Sequence, residues 1–230
     1  PEGIDAETAA LFPSEFEESE LGQIPKSWRV AVLDEAFDIN PSRKLAKSKA
    51  ATYLDMGNVP TSGHRPTAWI KRAAGSGARF TNGDTLLARI TPCLENGKTA
   101  FVDFLCDGEV GWGSTEFIVL RPKQGLPDYF AYLLCRREDF RAFAIQSMTG
   151  TSGRQRVQTN SLAKYKLALP ESGSLIGMNF GECVAPLAKR IKAASEESAT
   201  LANLRDALLP KLISGQLRIP DAEKMAEAAL

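Results

Sequence analysis

The ten residues from 149 to 158, Thr-Gly-Thr-Ser-Gly-Arg-Gln-Arg-Val-Gln, hold the side chains in this chain best suited to chemistry, and that chemistry is recognition rather than bond making. Arg154 and Arg156 each carry a planar fork of N–H donors that matches the two acceptors on a guanine edge, and Gln155 carries an amide that matches adenine. Gln158, Thr151 and Ser152 add further polar groups to the stretch, while Gly150 and Gly153 allow its backbone to come close to a phosphate. An ordinary glycine-rich surface loop is the competing reading. A second polar stretch, residues 91–98, is flanked by Arg89, Asn96, Lys98 and Thr99, and these form a second candidate set, with a plain hairpin carrying solvated charges as its alternative. Lys44, Lys47 and Arg65, together with Lys49, Lys71 and Arg72, have the chemistry of phosphate contacts and no more.

Catalytic constellations fit poorly. Amino methylation needs an Asn/Asp-Pro-Pro-Tyr/Phe clamp around a flipped base, and the nearest approach, Asn40-Pro41-Ser42-Arg43, lacks the second proline and the aromatic. No glycine-rich turn between a strand and a helix offers a cofactor pocket, so no cofactor is expected on this chain. The acids and lysine of Pro220-Asp221-Ala-Glu-Lys224 crowd one end where no rigid frame would hold a metal. The single histidine, His64, sits among turn residues and is expected to be an exposed loop histidine rather than a base. Cys93, Cys106, Cys135 and Cys183 are far apart, with no paired spacing, so buried free thiols are expected and neither a zinc site nor a disulfide framework.

Charge distribution says more than the net charge of zero. Residues 1–28 hold seven acids and one base, Lys26, which leaves 27 basic and 21 acidic residues for the remainder. Residues 39–83 hold eight bases against Asp55 alone, and residues 140–170 hold five bases and no acid. One such block is an ordinary solvated face; two in one domain point to a polyanion. No apolar run approaches the length of about 20 residues that crosses a bilayer, nor does a signal-peptide pattern open the chain, so a cytoplasmic location is expected.

The elements that must position these groups read as an α+β domain. Short apolar runs at 28–33, 36–39, 53–56, 85–90, 99–104, 115–120 and 164–169 predict strands, and that at 85–90 is too apolar to face water on both sides. Residues 127–148 predict one helix with Phe130, Leu133, Leu134, Phe140, Phe143 and Ala144 turned to the core. The chain divides into an acidic leader at 1–27, a globular domain at 28–172, a long helix at 173–216 and a tail at 217–230, whose charged, alanine-rich end from Asp221 is expected to fray. Along the helix Leu187, Ile191, Leu201, Leu204, Leu208 and Leu212 recur at helical spacing. Forty helical residues would reach roughly 60 Å, more than a small domain spans. That apolar face asks for a second helix or another subunit, unless it docks on the domain's own core. Pro186 and Pro210 are expected to kink or end it.

The order of these pieces resembles one half of the specificity subunit of a type I restriction-modification system. The resemblance rests on Leu21-Gly-Gln-Ile-Pro-Lys-Ser-Trp28, on Gly83-Asp-Thr-Leu-Leu-Ala-Arg89, on the Thr-Gly-Thr loop, on Leu169-Pro170 and, most specifically, on Leu204-Arg-Asp-Ala-Leu-Leu-Pro-Lys-Leu-Ile-Ser-Gly215. It implies a target recognition domain followed by a conserved spacer helix that pairs with a second such helix. It implies double-stranded DNA as ligand, methyltransferase and restriction subunits as partners, and S-adenosylmethionine bound by the partner methyltransferase rather than by this chain. The acidic leader resembles the segment joining a first spacer helix to a second recognition domain, which leaves two expectations open: the C-terminal half of a longer subunit, or a half-size form pairing with itself. A helix-mediated assembly protein with incidental basic patches is the reading from another class.

Overall fold

The computed structural model describes residues 6–47, 50–151, 153–170 and 175–227, and divides into two units, residues 1–185 and 186–230. Ser152, Lys49 and the ends of the leader and tail lie outside the described residues.

The first unit opens with α1 (Ala6–Ala10), β1 (Phe16–Ser19) and β2 (Gly22–Pro25), followed by β3 (Arg29–Val32), α2 (Leu33–Ala36), β4 (Phe37–Ile39), β5 (Ala50–Leu54) and a 3-10 turn at Met56–Asn58. Then come β6 (Ile70–Ala73), β7 (Arg79–Phe80), β8 (Thr85–Ala88), β9 (Thr99–Phe101), β10 (Gly111–Gly113) and β11 (Phe117–Pro122). The helices α3 (Phe130–Arg136) and α4 (Glu138–Gln146), the strand pair β12 (Met148–Thr149) and β13 (Arg156–Val157), α5 (Thr159–Leu162) and β14 (Lys166–Leu169) complete it before the long helix α6 (Leu175–Ile213) begins. The fold is α+β, as the sequence predicts.

Its middle layer is the antiparallel sheet ordered β4-β11-β8-β9. Successive side chains on a strand face opposite ways, so Leu87, Ile118 and Leu120 join one core with residues of α3 and α4, while Leu86, Phe117 and Val119 join a second core with Leu54 and Phe80. Burial on both faces explains the continuous apolar character of β8, every residue of which is buried. A second sheet, β6-β5-β10-β7, includes one parallel pair, β5 with β10. The turn entering β8 requires glycine: Gly83 has φ 89, and a Cβ there would meet the ends of Arg121 and Asp128. Next to it Asp84 is buried and accepts hydrogen bonds from Arg43 at 2.6 Å and from the Thr81 N–H at 2.7 Å.

Four local differences from the sequence reading have physical causes. The helix predicted over 127–148 is two helices, because Arg137 is extended (φ −67, ψ 139). The break is stabilised by Asp139, which accepts two bonds from the Arg137 guanidinium, one from the Phe140 N–H and one from the Tyr165 hydroxyl. The acidic leader is not plain linker, since β1 and β2 form a hairpin whose Glu20 pairs with Lys166. His64 is not exposed: it is 1 % accessible, with Nδ1 at 2.7 Å from the Tyr129 hydroxyl and Nε2 at 3.1 Å from Asp103. Of the four cysteines only Cys135 is buried, while Cys106 and Cys183 are exposed and all four are free thiols.

The first turns of α6 belong to the first unit and pack on α3 within it, with Phe180 edge-on to Phe130 at 6.2 Å. In the second unit α6 continues past Pro186 and Pro210, each of which removes only one hydrogen bond from a helix of 39 residues, and so neither ends it. Beyond a turn at Gly215 (φ 73) lies α7 (Ile219–Glu227), so much of the tail expected to fray is helical.

Candidate nucleic-acid interface

The two polar stretches singled out by composition meet along one edge. Chain leaving β8 runs antiparallel to β13: the Arg89 carbonyl accepts from the Val157 N–H at 2.9 Å, Ile90 bridges to Arg156, and the Thr91 N–H donates to the Gln155 carbonyl at 3.1 Å. Two side chains reinforce the edge. Arg89 donates from Nη2 to the Val157 carbonyl at 2.5 Å, and Thr91 Oγ1 accepts from the Gln155 N–H at 3.1 Å. Residues 91–98 are themselves wound tightly by backbone bonds, among them Leu94 to Ile90, Asn96 to Pro92 and Lys98 to Cys93.

The second stretch is a hairpin tip. β12 and β13 pair Met148 with Val157 and Thr149 with Arg156, and Gln158 Nε2 donates to Thr149 Oγ1 at 2.9 Å. The turn between them uses Gly150 (φ 127) and Gly153 (φ 80), conformations that side chains other than glycine's rarely adopt, and Arg154 donates its N–H to the Thr151 carbonyl. Thr151 and Arg154 are exposed, and Gln155 is half-buried. Arg156 is held side-on by Glu116: Nε lies 2.9 Å from each carboxylate oxygen and Nη2 lies 2.8 Å from Oε1. Those bonds raise Arg156 above the usual arginine pKa and keep it charged.

Other candidates are placed differently. Asn96 is exposed, but Lys98 turns its ammonium inward to the Met56 carbonyl at 2.8 Å. Thr99 is corrected: it lies within β9 at 1 % exposure, because the strand begins one residue after Lys98 and points that side chain inward, where it cannot reach a ligand. Arg65 is also drawn in, with Nε 3.4 Å from Asp103 and its guanidinium over the Trp69 ring. Lys44 and Lys47 are exposed; Lys44 lines a depression of about 960 Å³ with Lys71, Arg79 and Glu109. Arg79 also lines a second depression of about 380 Å³ with Arg43, Arg89 and Asn40, so the two depressions share a wall at Arg79.

Glu116, which composition did not single out, governs the hairpin's most constrained arginine. It stands just before β11, where its carbonyl also accepts the Arg89 N–H at 2.9 Å. No local signal marks such a residue: its partner is forty positions away, and only the sheet brings them together.

In the second unit Leu187, Ile191 and Leu201 are 57, 43 and 44 % exposed, Leu204 and Leu212 are half-buried, and Leu208 is buried. Among the described residues there is no group of three or more potential metal ligands, and no helix is long and apolar enough to cross a membrane.

No family model matches the chain. It is 26 % identical over 215 residues to the type I restriction enzyme EcoEI specificity subunit of Escherichia coli, covering 89 % of this chain and 35 % of that protein. Over 153 residues it is 30 % identical to the EcoAI specificity subunit of the same organism, covering 64 % of this chain and 26 % of that protein. Among solved structures, its fold matches the HsdS subunit from Thermoanaerobacter tengcongensis with a TM-score of 0.56 and 21 % identity, and the type I S subunit from M. genitalium with a TM-score of 0.52 and 15 % identity. The chain covers 49 % and 46 % of those two structures, and about a third of the first curated relative.

Proposed function

The chain is a relative of the type I restriction specificity subunits and spans about half of the solved ones, and from that premise we propose that it is a target recognition domain with its spacer helix. It reads one half of a bipartite site in double-stranded DNA, and it is not itself an enzyme. Its long helix pairs with a second spacer helix, from a companion half or a second copy, and docks the methyltransferase and restriction subunits. S-adenosylmethionine is bound by the methyltransferase, and this chain needs no cofactor.

One observation supports the DNA reading above all: the hairpin tip and the 91–98 turn, chosen separately for their polar groups, are joined by backbone bonds into a single edge. A joined edge offers several donors at fixed separation, as readout of successive base edges requires. Docking is supported by the exposed Leu187, Ile191 and Leu201, which lie on a helix of 39 residues, about 58 Å long.

Titration of a labelled random-sequence duplex over a salt series tests the DNA reading. Binding through several phosphates falls steeply as salt rises, by about a thousandfold or more between 50 and 200 mM for six or more contacts. An absence of duplex binding at low salt, beside a stable self-associated form, would instead favour a helix-mediated assembly protein.

A further inference from the structure

We propose that Glu116 is a positioning residue which fixes Arg156 as the reader of a guanine, while Arg154, two residues earlier, anchors on phosphate. The inference rests on the DNA-recognition reading above and assigns distinct roles within it.

The geometry separates the two arginines. Glu116 occupies the side edge of the Arg156 guanidinium, taking Nε and one N–H of Nη2. The outer edge, made of the remaining Nη2 hydrogen and an Nη1 hydrogen, keeps two parallel donors, and this is the fork that fits guanine O6 and N7. Nη1 has only a long contact of 3.4 Å, to the Arg154 carbonyl. Accessibility runs the same way: the Arg156 side chain is 40 % exposed and the Glu116 side chain 23 %, so the acid supports the arginine from the inner side.

Charge and entropy explain why a base suits Arg156 better than a phosphate. A guanidinium beside a carboxylate has much of its charge compensated, which weakens its pull on a phosphate while leaving the shape of its outer fork unchanged. Its rotamer freedom is already surrendered to Glu116, so less remains to be lost when a base edge docks. Arg154 is the opposite case. It is exposed at the hairpin tip, with no acid paired to it among the described residues, and keeps full charge and full freedom, as a sequence-independent phosphate contact requires.

Selection by the full chain from a pool of randomised duplexes at low salt, with thermal melting of every variant as a folding control, tests this. The wild type is expected to enrich at least one G·C pair. Glu116→Gln and Arg156→Lys, which preserve size or charge, should each cut the preference at that one position by about tenfold, and Glu116→Asp should restore part of it. Arg154→Ala should weaken binding to all sequences alike and make the salt dependence shallower. A G·C preference unchanged in Glu116→Gln and Arg156→Lys overturns the assignment while the DNA-recognition reading stands. A wild type that binds no duplex overturns both.

Discussion

Arg89 and Val157 are bonded twice, once through the Val157 N–H to the Arg89 carbonyl at 2.9 Å and once through the Arg89 guanidinium to the Val157 carbonyl at 2.5 Å. Val157 is fully buried, so its carbonyl depends on a protein partner. Arg89→Ala leaves that oxygen unpaired, and an unsatisfied buried acceptor costs about 1–3 kcal/mol. The expected result is an unfolding free energy lowered by that amount, read from a lower urea midpoint, together with weaker preference at every base position, since the whole edge loosens. An unchanged midpoint would show that the backbone bonds alone hold the edge.

Lys98 is expected to act on loop position rather than on charge. Its ammonium reaches the Met56 carbonyl at 2.8 Å, so Lys98→Met, which keeps the stem and removes the donors, should destabilise the fold by about 1 kcal/mol. The salt dependence of DNA binding should remain that of the wild type. A salt slope reduced by about one ion would return Lys98 to the phosphate contacts.

What could be read from the sequence was whatever its pattern decides locally. β8 was legible because Leu86 and Leu87 face different cores, so no alternation is left in the run. The long helix was legible because a stripe from Leu187 to Leu212 has only one regular explanation. The split between α3 and α4 was hidden, because apolar spacing carries on across Arg137 and the bonds that compensate the break converge on Asp139 from as far away as Tyr165. His64 was misplaced for a similar reason. Its neighbours in sequence are turn residues, yet its neighbours in space are Phe101, Tyr129 and Tyr132. Among the candidate readers, residue type identified the hairpin, but which arginine is free and which is gripped depends on Glu116, a contact made only by the assembled sheet.

Burial makes His64 a stability residue. Its ring bonds Tyr129 at one nitrogen and Asp103 at the other. His64→Ala removes both bonds and leaves a space among aromatic rings, at an expected cost of about 3 kcal/mol or more. Thermal melting should show the loss, and DNA-sequence preference should be unchanged in whatever fraction stays folded. A variant as stable as the wild type would mean that Tyr129 and Asp103 find other partners.

The helix stripe makes a prediction that leaves the first unit untouched. Leu187 and Ile191 are exposed, so Leu187→Asp and Ile191→Asp remove no core packing. Each should leave the melting temperature within about 2 °C, since surface substitutions rarely exceed about 0.5 kcal/mol. Each should nevertheless weaken pairing with a second spacer helix or a methyltransferase subunit by about tenfold or more, because a buried leucine or isoleucine contributes about 1.5–3 kcal/mol. Co-purification and sedimentation of the mixed components measure it, and full-strength pairing in the double variant would remove this face from the interface.

Two carboxylates should set the acid limit of the fold. Burial pushes Glu109 upward, but bonds from Lys71, from the Thr52 hydroxyl and N–H and from the Cys106 N–H outweigh it and hold the pKa at about 2 against an ordinary 4.5. Arg137, above all, holds Asp139 at about 2, aided by the Phe140 N–H and Tyr165 and opposed by burial. A carboxylate with a lowered pKa in the native state binds its proton less readily than in the unfolded chain, so its stabilisation is complete above the unfolded pKa and is lost as pH falls through the native one. Stability should therefore be level near neutrality and decline between about pH 4.5 and pH 2. For Glu109, whose side chain is 15 % exposed, the decline amounts to no more than about 3 kcal/mol; the Asp139 side chain, at 53 % exposure, contributes less because solvent screens it. Glu109→Gln should lower stability at pH 7 and flatten the acid limb of a urea-midpoint profile. A limb as steep as that of the wild type would assign the acid sensitivity to other carboxylates.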